Sequence, residues 1–403
     1  MPTPQTDFSR GPFSGLRVLD LSQGIAGPYC AQILWQQGAD VVKVEPPDGD
    51  WGRHVGVVRG GQSALSIAYN VGKRGVCVDA RQPQGQALLA DLAQRADLVI
   101  QNFRPGVAER MGVGYESLAE RCPGLVYVSI SGYGPDGPYA NAPASDSVMQ
   151  ADSGLMFANQ TPAGEPRRIG LLMADIATAL YAVQAASAAL YQQARSGRGQ
   201  HVQLNLLQAC AALQVNDILA YGIAGQREAG AVSAPNGVFD TADAPLSVLA
   251  LNNDQFARLC RALERPDWLA DPALSTNAGR MAQRERLHRE MAEQLALHPA
   301  AHWVERLARE DVLHARVRDY DGLAAHPQAA HLGLLEALAQ PGGKPLPYAR
   351  APVTPSRRPL TAAPAVGQHT VDVLTEWGVP PSEINALLDA GVLRQAAIGK
   401  EAS

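Results

Sequence analysis

One carboxylate stands out as a group that could do chemistry. Asp175 lies in Gly170-Leu171-Leu172-Met173-Ala174-Asp175-Ile176-Ala177-Thr178-Ala179-Leu180, among apolar and small residues that offer an acid no obvious solvent face. Ile176, Leu180, Val183, Leu190 and Tyr191 recur at helical spacing with Ala between them, which predicts an amphipathic helix that its neighbours can approach closely. Asp175 then falls in the first turn. Two readings fit it there. As an N-cap, it satisfies free backbone amides at the helix start. As a nucleophile, it needs to be ionised, and the same amides favour that form. The two roles are compatible.

A second chemical cluster is Val99-Ile100-Gln101-Asn102-Phe103-Arg104-Pro105-Gly106, a strand ending in an amide, an aromatic, a cation and a turn. In open parallel sheets such strand ends line the ligand crevice. Phe103 can stack on a base, and Arg104 or Arg110 can meet phosphate. Lys73, Arg74 and Arg81 flank the preceding strand and extend the positive rim. The plainer alternative for any one of them is a solvated surface charge. Gly24 and Gly27 follow the first strand, but Ala26 and Tyr29 stand where the second and third glycines of a dinucleotide fingerprint belong. A nicotinamide site is therefore disfavoured, while the turn amides remain fit to receive phosphate or an oxyanion. His298 and His302 share a helical spacing without a third ligand, and Pro299 marks a helix start, so no metal site is expected.

Elements that position these groups follow from periodicity. Leu16–Leu21 reads as a strand, Gln23–Pro28 as a Gly-containing turn, the next stretch as a helix to about Gln37, and Asp40–Glu45 as a second strand. This βαβ unit implies a parallel sheet. Further strands are expected at Gly75–Val78, Leu98–Gln101 and Leu125–Ile130, with a helix at Gln84–Arg95. Their near-continuous Val, Leu and Ile content suits burial on both faces. From about Gly225 the character changes. Strands near Pro235–Phe239 and Leu246–Leu251, then helices to about Glu310, suggest a smaller α+β domain. After a Pro-rich passage, Pro341–Pro364, come helices at His369–Trp377 and Ser382–Leu388.

Composition excludes several classes. At 403 residues with 46% apolar content, the chain is long enough for two globular domains. A net charge of −5 and the lack of a Lys/Arg run argue against nucleic-acid binding. Met1–Gly11 does not read as a secretory leader. Ala174–Ala194 is apolar but interrupted by Gln184 and Ser187, which fits a buried helix better than a membrane span. Cys30, Cys77, Cys122, Cys210 and Cys260 form no C-x-x-C pair, as expected of a reduced, cytoplasmic protein.

Taken in order, Leu16–Asp20, Gly38–Glu45, Gly72-Lys73-Arg74, Gln101–Gly106, Ser131-Gly132-Tyr133-Gly134, Ala174-Asp175 and Ser196-Gly197-Arg198-Gly199-Gln200 resemble the family III CoA-transferases, the group of formyl-CoA transferase and carnitine CoA-transferase. The resemblance continues through Asn252–Phe256, Thr276-Asn277 with Arg280, and Gly367–Thr370. It implies an α/β fold: a Rossmann-like large domain with a parallel sheet, built from residues 1–224 and a returning segment 326–403, plus a small α+β domain at 225–325. It also implies ring-shaped subunits interlocked as a homodimer. By the same resemblance Asp175 is the catalytic residue. CoA lies near Ile25, Val78, Arg81, Asn102, Phe103, Arg110 and Met111, and Ala26, Ser145 and Asp146 face the substrate. The implied partners are an acyl-CoA and a carboxylic acid, such as a dicarboxylate, with the thioester as substrate and no tightly bound cofactor. Racemases of the same fold carry a His where Ser145 stands, which ranks racemase below transferase. A non-catalytic CoA- or nucleotide-binding protein is the alternative from another class. Ala26 replaces the Gln of formyl-CoA transferase, and no Gly-rich flap is visible between Phe239 and Leu246, which argues against oxalate and formyl-CoA as substrates.

Overall fold

The alternation of apolar runs with Gly-containing turns builds six parallel strands: β1 (Arg17–Asp20), β2 (Asp40–Glu45), β3 (Arg74–Val78), β4 (Leu98–Gln101), β5 (Val126–Ser131) and β6 (His201–Asn205). The structure, a computed structural model, describes residues 11–161, 163–226, 232–352 and 358–396. Strand order is β3-β2-β1-β4-β5-β6, and the short strand Leu393–Arg394 adds antiparallel to β3 at one edge. That order reverses direction between β1 and β4, the point at which doubly wound sheets open a crevice at their carboxyl ends. Register pairs Val18 with both Val41 and Leu98, so β1 lies at the centre.

Both faces of the sheet are covered, which explains the near-continuous apolar strands. On one face Val18, Val41, Leu98, Ile100, Val126 and Val128 pack with α1 (Ala26–Gln36) and a 24-residue helix, Met173–Ser196. On the other, Leu19, Val42, Val76, Val99 and Tyr127 meet Leu88, Leu89 and Leu92 of the helix Pro83–Gln94. Val373, Leu374, Ile384 and Leu387, from helices near the end of the chain, complete that layer. The remaining helices needed below are α2 (Ala64–Asn70), α3 (Pro83–Gln94), α4 (Asp146–Asp152), α5 (Met173–Ser196), α6 (Leu206–Leu213) and α7 (Val215–Ala224). By length and composition α5 is apolar enough to cross a membrane, yet half of its apolar window is buried within the protein. Its alanines at 174, 177, 179, 182, 186 and 189 are all buried, because only small side chains let α1 and β5 approach this closely.

By its contacts the chain divides into two compact units, Met1–Leu219 with Leu334–Ser403, and Ala220–Gly333. The second unit holds a three-stranded antiparallel sheet of β7 (Asn236–Asp240), β8 (Pro245–Leu249) and β9 (Leu313–Arg316) around its own apolar core. Among the described residues seven strands were not expected from sequence, three of them in the sheets described above. His201–Asn205 (HVQLN) has polar residues at three of its five positions, Leu393–Arg394 spans two residues, and β9 falls in a stretch, Leu-His-Ala-Arg, with one apolar branched side chain.

Candidate active site

Asp175 is the third residue of α5, and the way that helix begins determines its surroundings. The N-cap position is Leu172, whose side chain cannot cap. The cap comes instead from Asp146 at the start of α4. Its Oδ1 accepts the backbone N–H of Ala174 at 2.8 Å and that of Asp175 at 3.4 Å, and its Oδ2 accepts Gln150 Nε2 at 2.8 Å. Gln150 in turn donates to the carbonyl of Leu171 at 2.9 Å and accepts from Ile169 N–H at 2.8 Å, tying the approach to α5 in place. Asp175 is therefore not the cap of its own helix. Among the described residues its carboxylate bonds to no protein donor and pairs with no cation. Burial, and secondly the nearby Asp146 charge, push its pKa up to about 7.

The carboxyl group opens into a cavity of about 550 Å³. Its walls bring together Ile25, Ala26, Asn102, Phe103, Ser145, Asp146 and Asp175 from separate stretches of chain. One wall is the turn between β1 and α1, held from two sides. The amide of Asn102 accepts from Gln23 N–H at 2.8 Å and donates to the Gln23 carbonyl at 2.7 Å. On the far side the Asp50 carboxylate accepts Gly24 N–H at 3.0 Å and Gly52 N–H at 2.8 Å. Gly24 sits at φ +76°, and a Cβ there would come within 2.2 Å of the Trp51 ring, so the turn requires glycine. Ile25, the N-cap residue of α1, and Ala26, its first residue, follow directly on this clamp and line the cavity.

Beneath the turn lies a buried ionic cluster. Lys73 Nζ pairs with Asp20 at 2.8 Å and bonds the Pro28 carbonyl at 2.8 Å, with both charged side chains fully enclosed. Lys43 pairs with Asp50 at 3.1 Å and donates to the Ser22 carbonyl. Burial draws the Lys73 pKa down to about 8 against the opposing pull of Asp20, while Lys43 and Lys73 hold Asp20 below the usual carboxylate range despite its burial. Buried pairs of this kind contribute modest net stability but are costly to break. Their geometric effect here is to fix the backbone of Ser22 and Pro28, on either side of the Gly turn.

Of the residues expected along CoA four lie outside this cavity, as do two of the expected rim cations, Lys73, buried against Asp20, and Arg74, paired with Asp40. Val78 is in the sheet core, and Met111 packs against the same core from the loop after Arg110. Arg81 is largely exposed and bonds Asp79 at 2.7 and 3.0 Å. Arg110 is exposed at the end of the short helix Val107–Arg110. Trp51, Leu65 and Leu172 line the cavity without having been marked in the sequence. Trp51 carried a faint signal, an aromatic beside Gly52 after an Asp, but nothing local tied it to Gly24. The His298 and His302 rings lie 4.2 Å apart, and among the described residues no group of three potential ligands could hold a metal.

A doubly wound sheet with an unpaired carboxylate in the crevice beside a helix N-terminus defines an α/β enzyme. The profile of CoA-transferase family III matches residues 13–370, and the chain belongs to that family. Human succinyl-CoA:glutarate CoA-transferase is 32% identical over 97% of this chain and 92% of its own length. The succinate–glutarate CoA-transferase of Agrobacterium fabrum is 36% identical over 91% and 95%. A crystal structure of a CAIB/BAIF family protein from Brucella suis superposes with a TM-score of 0.81 at 32% identity, covering 91% of this chain and all of that one. Rv3272 from Mycobacterium tuberculosis gives a TM-score of 0.80 at 29% identity, over 90% and 99%. The protein is thus an enzyme, a family III CoA-transferase.

Proposed function

We propose that the enzyme moves CoA from an acyl thioester to a carboxylic acid through covalent intermediates on Asp175. The observation that carries this reading is the Asp175 carboxylate itself, unbonded by donors among the described residues and facing a cavity. One carboxylate oxygen attacks the thioester carbonyl, the C–S bond breaks, and CoA leaves as thiolate while the acyl group and Asp175 form a mixed anhydride. The thiolate then attacks the Asp175 carbonyl, releasing the donor acid and leaving an aspartyl-CoA thioester. An incoming carboxylate reverses both steps, regenerating Asp175. Each attack develops an oxyanion, and the Ile25 and Ala26 amides, fixed by Asn102 and Asp50, are the preorganised donors beside the cavity.

In this reading Asn102 and Phe103 hold the thiol end of CoA. Ile25, Val78, Arg81, Arg110 and Met111 mark the path of the rest of the molecule, with Arg81 and Arg110 exposed to receive phosphates. Ala26 and Ser145 shape the acyl end. The human and Agrobacterium relatives are named for succinyl-CoA and glutarate or for succinate and glutarate, which supports dicarboxylates as donor and acceptor here. Ser145 carries no imidazole for proton transfer, so racemisation is not the assigned reaction.

The Rossmann-like large domain, its closure by the C-terminal segment, and an interlocked homodimer belong to the same proposal. Support for the dimer comes from α7, none of whose residues is buried although Val215, Ile218, Leu219, Tyr221 and Ile223 are apolar and exposed. The five cysteines are free and four are buried, which accords with a cytoplasmic enzyme. The test of the reaction is exchange of labelled CoA between succinyl-CoA and a panel of free acids. Transfer that is lost in a folded Asp175→Ala variant supports the proposal. Deuterium uptake at the α-carbon without transfer would instead assign a racemase.

A further inference from the structure

We propose that Asp146 is a positioning residue that sets the reactivity of Asp175 by occupying the helix-start amides its carboxylate would otherwise use. The inference rests on the assignment of Asp175 as nucleophile. An Asp at the third position of a helix ordinarily gains from free first-turn amides and from the helix dipole. Here the Ala174 and Asp175 amides point at Asp146 Oδ1, at 2.8 and 3.4 Å, and the remaining Asp146 oxygen is satisfied by Gln150 at 2.8 Å. Asp146 is only 4% exposed and has no cationic partner among the described residues, so its oxygens are met by amides alone. A buried carboxylate thus caps a helix whose own first turn already carries one.

The consequence for Asp175 is electrostatic. Its carboxylate is denied amide donors and faces a like charge. The other titratable groups turned toward it are Tyr69 of α2, with Tyr29 of α1 packed on it, and Cys210 of α6. None is a cation, and the one cationic side chain on the described cavity wall is Arg104. A carboxylate so placed is more basic and hence a stronger nucleophile once ionised. Burial first and Asp146 second push its pKa up to about 7, so a substantial fraction is still ionised near neutral pH. Acylation neutralises Asp175, and so does its thioester with CoA. The repulsion from Asp146 is therefore present in the free enzyme and relieved in both covalent intermediates, which favours the forward attack.

The test compares pH profiles of kcat for succinyl-CoA-dependent transfer in the full-length enzyme. Asp146→Asn keeps an oxygen for the Ala174 amide but removes the charge. We expect the midpoint of its acid limb to fall by about half a unit or more, with a plateau rate about 3- to 10-fold lower because the carboxylate is less basic. Gln150→Leu strips a donor from Asp146, leaves its charge less screened, and should move the midpoint upward. It also covers the case in which Asp146→Asn does not fold. A midpoint unchanged from wild type in whichever of these variants folds overturns the inference, since a merely structural cap would lower the rate without moving the titration. Transfer that persists in Asp175→Ala would instead overturn the nucleophile assignment, so the two failures are distinguishable.

Discussion

Replacing Asp175 with Asn should make the protein more stable, and by an amount that depends on pH in a defined way. The Asp175 pKa rises from 3.8 to about 7 on folding, chiefly because the carboxylate is withdrawn from water. Between those values the native state holds a proton that the unfolded chain has lost, so through this group stability falls as pH rises. A difference of about 3 units corresponds to about 4 kcal/mol at full effect, and cavity water reaching the carboxyl group reduces this to about 2–4 kcal/mol. Asn fills the same space without the charge. The gain of Asp175→Asn over wild type should therefore be close to zero near pH 4, grow through pH 5 and 6, and level off above pH 7. Urea unfolding at each pH, with both proteins at equal concentration, reads this directly. A difference that does not change with pH, or an Asn variant less stable than wild type at pH 8, would refute the burial argument.

Other outcomes follow from the same geometry. Gly24→Ala places a Cβ against Trp51 in a left-handed backbone position, and should lower transfer at least about 10-fold with about 1–3 kcal/mol lost in stability, measured by steady-state rates and thermal unfolding. Lys73→Met leaves Asp20 buried without its partner and should destabilise by about 3–5 kcal/mol; Lys73→Met with Asp20→Leu should recover much of that loss, both read by urea unfolding. If the proposed dimer forms through α7, Leu219→Asp combined with Ile223→Asp should shift sedimentation toward the monomer, and a dimer that persists in this variant would remove α7 from the interface.

Much of the large sheet was legible because its central strands are buried on both faces, and apolar runs such as Leu98–Gln101 report that burial directly. The edge strand His201–Asn205 was not, since only a strand with a covered face must be apolar. At the site, the small-residue setting of Asp175 pointed to restricted solvent from residue types alone, and Asn102 and Phe103 were marked by their position at a strand end. What sequence could not give was pairing over distance. Asp146 caps a helix 28 residues downstream, Asp50 holds Gly24 across 26 residues, and Lys73 meets Asp20 across 53. Each bond is set by how the elements pack, and no local pattern encodes it. Arg81 adds a local pair to these distant ones: its exposed side chain bonds Asp79, two residues away.

The proposed reaction depends on a covalent bond to one side chain, and hydroxylamine reads that bond. Incubated with succinyl-CoA and then hydroxylamine, the enzyme should yield a hydroxamate at Asp175, found by mass spectrometry of its peptides, with none formed when the thioester is omitted. A peptide containing unmodified Asp175 under conditions in which CoA is actively transferred would contradict it.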